Sequence, residues 1–141
     1  MGNQQLLIVI FVTIVVALAS IMALNIFGSN TIKSNRNAVQ QDLLAGTNLA
    51  QSLYLKHDLF GGAGGDFSKI DESILVSLII PGILNGGDQW ENENGVYKVE
   101  DVEPHSLLIR GKPSTGEPDI IALLSFDTDD RYWVVSITED D

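Results

Sequence analysis

The sequence predicts an α+β protein in which a long N-terminal helix packs against a small four-stranded antiparallel sheet. Three observations lead there. Leu6 to Phe27 is a stretch of 22 residues without charge, interrupted only by Thr13, Ser20 and Asn25. At about 1.5 Å per residue, such a helix measures about 33 Å, enough to cross the hydrocarbon core of a bilayer. An amphipathic helical pattern then continues with no Pro to break it, and beyond Gly86 the chain changes to short alternating runs separated by turn residues.

The chain of 141 residues leaves about 110 beyond the apolar stretch, room for one small core. Met1 to Asn30 carries no charged residue, so the formal net charge of -11 falls entirely on residues 31–141. An acidic domain is not attracted to phosphate backbones or anionic headgroups, which argues against nucleic acid as a partner. There is no cysteine, which removes disulfides, thiolate metal sites and cysteine nucleophiles together. The apolar stretch is too long, and its start too poor in positive charge, for a cleaved secretory signal. The chain therefore divides into 1–30, an apolar helix, and 31–141, a globular domain.

Taken in order, the apolar helix contains the small residues Thr13, Ala17, Ala19, Ser20 and Ala23. The pairs Thr13/Ala17 and Ala19/Ala23 have the spacing that lets helices approach closely where no water drives them together. Gly28, Ser29 and Asn30 are poor helix formers and predict a bend or extended stretch, above all once the helices are packed. The pattern resumes over 31–59 with Ile32, Val39, Leu43, Gly46, Ala50 and Leu53, joined by Leu44 and Leu49. This is one stripe facing a core, and Gly46 followed by Ala50 leaves room for something bulky. The whole helix is expected from Asn3 to about Asp58. The glycine-rich loop 60–67 ends it and reads as a flexible connection; a phosphate cradle would need a strand before it, a helix after it and usually a Lys. Ser68 and Asp71 resemble a capping box opening a short helix that Pro81-Gly82 stops.

The sheet is placed at about 95–138. Its strands are Val96 to Val102, Ser106 to Arg110, Asp119 to Phe126 and Tyr132 to Thr138, with Lys112 to Pro118 a polar loop and Glu139 to Asp141 a solvated tail. Trp133, Val135 and Ile137 alternate with Tyr132, Val134 and Ser136, so one face of the last strand covers the helix stripe. Ile120 to Leu124 is apolar on both faces, which suits a central strand or one covered by a neighbouring subunit.

Candidate chemistry is sparse. His57 and His105 are the only histidines; neither has a motif-spaced partner, and both read as surface residues. Asp127, Asp129 and Asp130 form a turn with hard oxygen ligands suitable for Ca²⁺, but without the Gly and distal Glu of an EF-hand loop. No pattern points to a cofactor, and an enzyme is the least supported class.

An uncharged start with Gly2, a retained apolar helix, its amphipathic continuation, a glycine-rich loop and a small C-terminal sheet together resemble the type IV pilin superfamily, which includes pilins and pseudopilins. The resemblance implies a pilin-like fold and a structural subunit. Such a subunit waits in the inner membrane and then, with assembly machinery, joins a homo-oligomeric helical filament at the cell surface through bundled apolar helices. It also implies a prepilin peptidase cutting after Gly2, so that the mature chain starts at Asn3. The chain departs from the family pattern in two places. Met1-Gly2 lacks basic residues, and Gln4, Gln5, Leu6 and Leu7 occupy the region where the family carries a glutamate. Lys33 and Arg36 come after the span and nominally favour that side inside, although two charges with Asp42 close behind do not set orientation. The alternatives are a secretion-system pseudopilin and a monomeric membrane-anchored binding domain.

Overall fold

The computed structural model describes residues 2–116 and 118–140. Helix α1 is Gly2–Leu55. Its residues are divided between two compact units, 1–34 and 35–141. Within 35–141, α1 is followed by a 3-10 turn at Asp58–Phe60, another at Phe67–Lys69, and helix α2, Glu72–Ile79. The strands are β1 (Ile83–Leu84), β2 (Gln89–Glu91), β3 (Gly95–Glu103), β4 (Ser106–Pro113), β5 (Asp119–Asp127) and β6 (Tyr132–Asp140). They form one antiparallel sheet in chain order, β1-β2-β3-β4-β5-β6.

The α+β class holds, but the sheet has six strands and not four. β1 and β2 contain two and three residues, too few to display a period of two; β2 is held by β3, and β1 by β2. β4 reaches Pro113, into the expected polar loop. β6 takes in Glu139 and Asp140, which are not a solvated tail: Glu139 pairs with Arg36 and Asp140 with Arg110. Asp141 lies outside the described residues. A bulge at Glu100 shifts the β3–β4 register between Val99 and Asp101, and Glu100 Oε1 accepts from Arg110 Nε at 2.6 Å.

The core lies between α1 and the inner face of the sheet. Val39, Leu43, Gly46, Thr47, Ala50 and Tyr54 are the buried positions of α1. Leu44 and Leu49, expected in that stripe, are exposed, and so is Ile32. From the sheet come Tyr97, Val99, Leu107, Ile109, Ile120, Ala122 and Leu124, and α2 adds Leu75, Val76 and Ile79. Two glycines set the spacing. A Cβ on Gly111 would lie 2.8 Å from Val39 Cγ1, and one on Gly46 would lie 2.8 Å from Ile80 Cδ1. The room foreseen at Gly46 is thus taken by the end of α2.

Two local expectations, for the start of α2 and for the glycine-rich loop, are corrected, while the one for residues 28–30 concerns packed helices. Gly28, Ser29 and Asn30 are α-helical in the single chain, where nothing packs against Gly28 to favour another conformation and Thr31 Oγ1 donates to Phe27 O at 2.9 Å. α2 is capped by Asp71, whose carboxylate accepts from Ser73 N, while Asp66 caps the preceding turn through Ser68 N; Ser68 and Asp71 do not form a capping box. The glycine-rich loop is no loose connection. Gly62, Ala63, Gly64 and Gly65 donate their N–H groups to the carbonyls of His57, Leu53, Lys56 and Tyr54, satisfying two acceptors in the last turn of α1 and two just beyond it. Only glycine fits at 62, where a Cβ would stand 2.0 Å from Lys56 O.

Gly62→Ala should therefore lower domain stability by about 1–3 kcal/mol, while Gly28→Ala leaves the domain's unfolding unchanged. Thermal melts of the full chain in detergent, followed by near-ultraviolet circular dichroism, check this; equal midpoints for the two variants would remove the cap assignment.

Candidate functional site

Residues 6–27 of α1 carry the clearest functional signature. Every large apolar side chain from Leu6 to Phe27 is between 47% and 72% exposed, so no face of this segment is covered by the rest of the chain. A helix apolar all round belongs inside lipid or protein and not in water. Its hydroxyls need no outside partner. Thr13 Oγ1 lies 2.8 Å from both Val9 O and Ile10 O, and Ser20 Oγ donates to Val16 O at 2.8 Å. Removing the segment from water thus leaves no hydroxyl stranded. α1 is long and apolar enough to cross a membrane.

Thr13/Ala17 and Ala19/Ala23 are each one turn apart on exposed surface. Thr13 and Ala19, six residues apart, point about 120° away from each other. The two small-residue pairs therefore occupy different sides of the helix, and Ser20 extends the Thr13/Ala17 side. Gly2 and Asn3 open α1, and Met1 lies outside the described residues.

In the domain, the polar groups are engaged in holding the fold. Asp42 Oδ2 accepts from Tyr97 OH at 2.6 Å, Asn94 Nδ2 at 2.8 Å and Asn92 Nδ2 at 2.9 Å. Burial works to raise this carboxyl's pKa, but hydrogen bonds from Asn94, Tyr97 and Asn92 together hold it below the ordinary 3.8. Burial and the bond to Asp42, with its charge, push the Tyr97 hydroxyl far up. Asn35 continues the network, donating to Asn94 O and accepting from Thr115 N and Oγ1. This joint between helix and turn was invisible in the sequence, where Asp42 counts only as a charge; the available signal was a lone acid on the core side of an amphipathic helix.

His105 is exposed, as expected, yet its Nδ1 lies 2.6 Å from Tyr54 OH. Tyr54 in turn packs within an aromatic group of Phe67, Phe126 and Trp133, with ring centroids at 5.0, 5.4 and 5.0 Å. Burial and then the Asp66 charge raise the Tyr54 pKa, so the phenol stays a neutral hydrogen-bonding partner. Tyr54 continues the stripe four residues past Ala50 and was readable there. His57 is exposed beside Asp58, with Nδ1 2.6 Å from Oδ1.

Asp127 Oδ1 accepts from Asp129 N at 2.9 Å and Asp130 N at 3.0 Å, so the acidic turn uses its carboxylate to close its own backbone. Among the described residues, no three His, Asp or Glu side chains are grouped to hold a metal ion; Asp127, Asp129 and Asp130 do not make the Ca²⁺ site that their spacing allowed. The loop 60–67 spends the N–H groups of residues 62–65 on α1, which leaves them unable to bind a phosphate. No family model, curated protein or solved structure matches this chain.

The Asp42 joint carries a pH signature. Because its carboxyl titrates lower folded than unfolded, its contribution is complete above the ordinary carboxylate range and disappears as pH falls through the depressed folded value. Asp42→Asn should cost about 1–3 kcal/mol at pH 7 and flatten the loss of stability below about pH 4. Urea unfolding of both proteins across about pH 2.5–7 reads this out, and parallel pH profiles would show that Asp42 is not the titrating group.

Proposed function

We propose that this protein is a structural subunit of a type IV pilus-like filament, anchored in a membrane by residues 6–27 before assembly and held in the filament core by them afterwards. One observation carries the reading: an apolar helix bare on every side, with its hydroxyls satisfied internally, on a chain whose charge lies wholly beyond it. Such a segment can be covered by lipid or by identical segments, and exchanging one for the other exposes no apolar surface to water. Small-residue pairs on two sides suit contact with more than one neighbour. A repeated contact between unlike surfaces that does not close on itself generates an open helical polymer. The α+β layout and the resemblance of the sequence to the pilin superfamily support the same reading.

In this proposal the absent glutamate is replaced by the amides of Gln4 and Gln5, which avoids burying a carboxylate among apolar helices. The assembly machinery and a peptidase acting between Gly2 and Asn3 are its partners. Gly28 to Asn30, helical in the single chain, is the stretch expected to leave regular helix on packing, because no interaction beyond the helix ladder holds Gly28 there. Polymer length distinguishes a surface pilus from a secretion pseudopilus, both built on this subunit.

Ala17→Asp places a carboxylate where Met1 to Asn30 offers no charged partner, at a cost of several kcal/mol in a packed apolar core. It should abolish filaments. Ala19→Leu should weaken assembly less, and Asp129→Asn and His105→Ala should leave it almost unchanged. Each variant is expressed without the wild-type copy, membrane levels are checked by blotting, and filaments are counted by electron microscopy. Normal filaments from Ala17→Asp would put the segment outside the polymer core and favour a monomeric membrane-anchored binding domain.

A further inference from the structure

Asparagine precedes glycine twice in the chain, at Asn85-Gly86 and at Asn94-Gly95. A glycine in that position leaves its backbone nitrogen unshielded and free to turn, and the nitrogen can attack the neighbouring side-chain amide to close a cyclic imide. Closure needs the asparagine side chain and the next peptide plane to swing toward each other, so a pair that the fold holds still reacts only when it opens. The fold treats the two pairs in opposite ways.

Asn94 is tied on every side. Its N–H donates to Asn92 Oδ1 at 2.9 Å and its Nδ2 to Asp42 Oδ2 at 2.8 Å, while its carbonyl accepts from Asn35 Nδ2 at 2.8 Å and from Ser114 N at 2.9 Å. The nitrogen that would attack, Gly95 N, donates to Asn92 Oδ1 at 3.2 Å. Gly95 itself is buried at the start of β3, where a Cβ would stand 2.2 Å from Lys112 O. Glycine is there for packing, and the ring has no room.

Asn85 has a single tie. Its N–H donates to Gln89 O at 2.9 Å in the turn between β1 and β2. Among the described residues, no hydrogen bond engages its side chain, its carbonyl or Gly86 N. Asn85, Gly86 and Gly87 are exposed, the two glycines have φ of 64° and 67°, and open space surrounds the place of a Cβ on either. We propose that Asn85 is a self-modification site, at which the folded chain converts asparagine into aspartate and isoaspartate, while the fold suppresses the same reaction at Asn94.

Gly86 N gives its proton to a solvent base and attacks Asn85 Cγ; the new N–C bond replaces the bond to the side-chain nitrogen, which leaves as ammonia. Water then opens the imide. Cleavage between Gly86 N and Cγ yields aspartate, and cleavage between Gly86 N and the Asn85 backbone carbonyl yields isoaspartate, with nothing oxidised or reduced. Either product adds a negative charge to a chain whose formal net charge is already -11. Isoaspartate also lengthens the backbone of the turn that sets β1, a strand of two residues held by β2 alone. The reaction therefore loosens β1 and leaves the Asp42 joint intact. It does not depend on the filament reading.

Full-length protein in detergent is incubated at mildly alkaline pH, folded and in urea, then digested for peptide mass mapping. An isoaspartate-specific methyltransferase with labelled S-adenosylmethionine reads the isoaspartate. In the folded chain Asn85 should convert about tenfold faster than Asn94, because reaction at Asn94 waits for local opening. In urea the two should convert at rates within about twofold of each other, since both precede glycine. Conversion at Asn85 should rise with pH, as loss of the Gly86 N proton requires, and Asn85→Gln, which must close a larger ring, should remove the methyl label from the folded protein. A folded Asp42→Ala, checked by circular dichroism, frees Asn94 Nδ2 and should speed conversion at Asn94 with Asn85 unchanged. Equal conversion at Asn85 and Asn94 in the folded chain, or an Asn85 that stays intact when folded and converts only in urea, overturns the proposal.

Discussion

The domain depends on how closely α1 approaches the sheet. Val39 and Leu43 sit over Gly111, with a side-chain carbon of Val39 2.8 Å from where a Cβ would be, and Ile80 fills the corresponding space at Gly46. Apolar contact of this density is intolerant of an added methyl group, and it brings Asp42, on the core side of the same helix, within reach of the turn 92–95. Asp42 can then gather Asn92, Asn94 and Tyr97 around one carboxylate oxygen. A carboxylate partly removed from water is costly unless its lone pairs are filled. Close packing and polar joint are therefore one arrangement: the first sets the distance and the second fixes the register of helix on sheet.

The far end of α1 is closed in the same manner. The helix ends at Leu55, and the chain turns back so that the N–H groups of Ala63 and Gly65 meet its Leu53 and Tyr54 carbonyls, while those of Gly62 and Gly64 meet His57 and Lys56 just beyond it. Tyr54, at that end, anchors the aromatic group with Phe67, Phe126 and Trp133 and reaches His105 through its hydroxyl. Asp42, Tyr97, Tyr54 and His105 are thus engaged in closing the fold. Among the exposed large apolar side chains are those of segment 6–27 in one unit and Tyr132, Val134 and Val135 of β6 in the other.

These two surfaces differ in what can cover them. The segment 6–27 is apolar around its circumference and charge-free, so lipid and sister helices are interchangeable as surroundings. β6 presents a line of backbone donors and acceptors as well as side chains, and lipid offers no hydrogen bonds; another strand completes both at once.

Sequence by itself determined the elements whose signal is local and repeated. The apolar run needs only composition, the amphipathic part of α1 only its period though not its end at Leu55, and β3 to β6 only alternation between turn residues, because each of these patterns reports burial summed over many positions. It could not determine β1 and β2, which are shorter than the pattern that would reveal them and owe their conformation to their pairing, β2 on β3 and β1 on β2. Nor could it assign Leu44 and Leu49 to the exposed side, since a stripe's exact azimuth depends on which residues find a partner. The glycine loop read as slack because composition reports what glycine permits; only the returning chain, with Leu53, Tyr54, Lys56 and His57 carbonyls within reach of its N–H groups, decided that it is a cap. Asp42 was one acid among 19 acidic residues until folding placed residues 50 and more positions away against it. Long-range hydrogen bonds leave no period in a sequence, and that is why the tertiary structure alone assigned them.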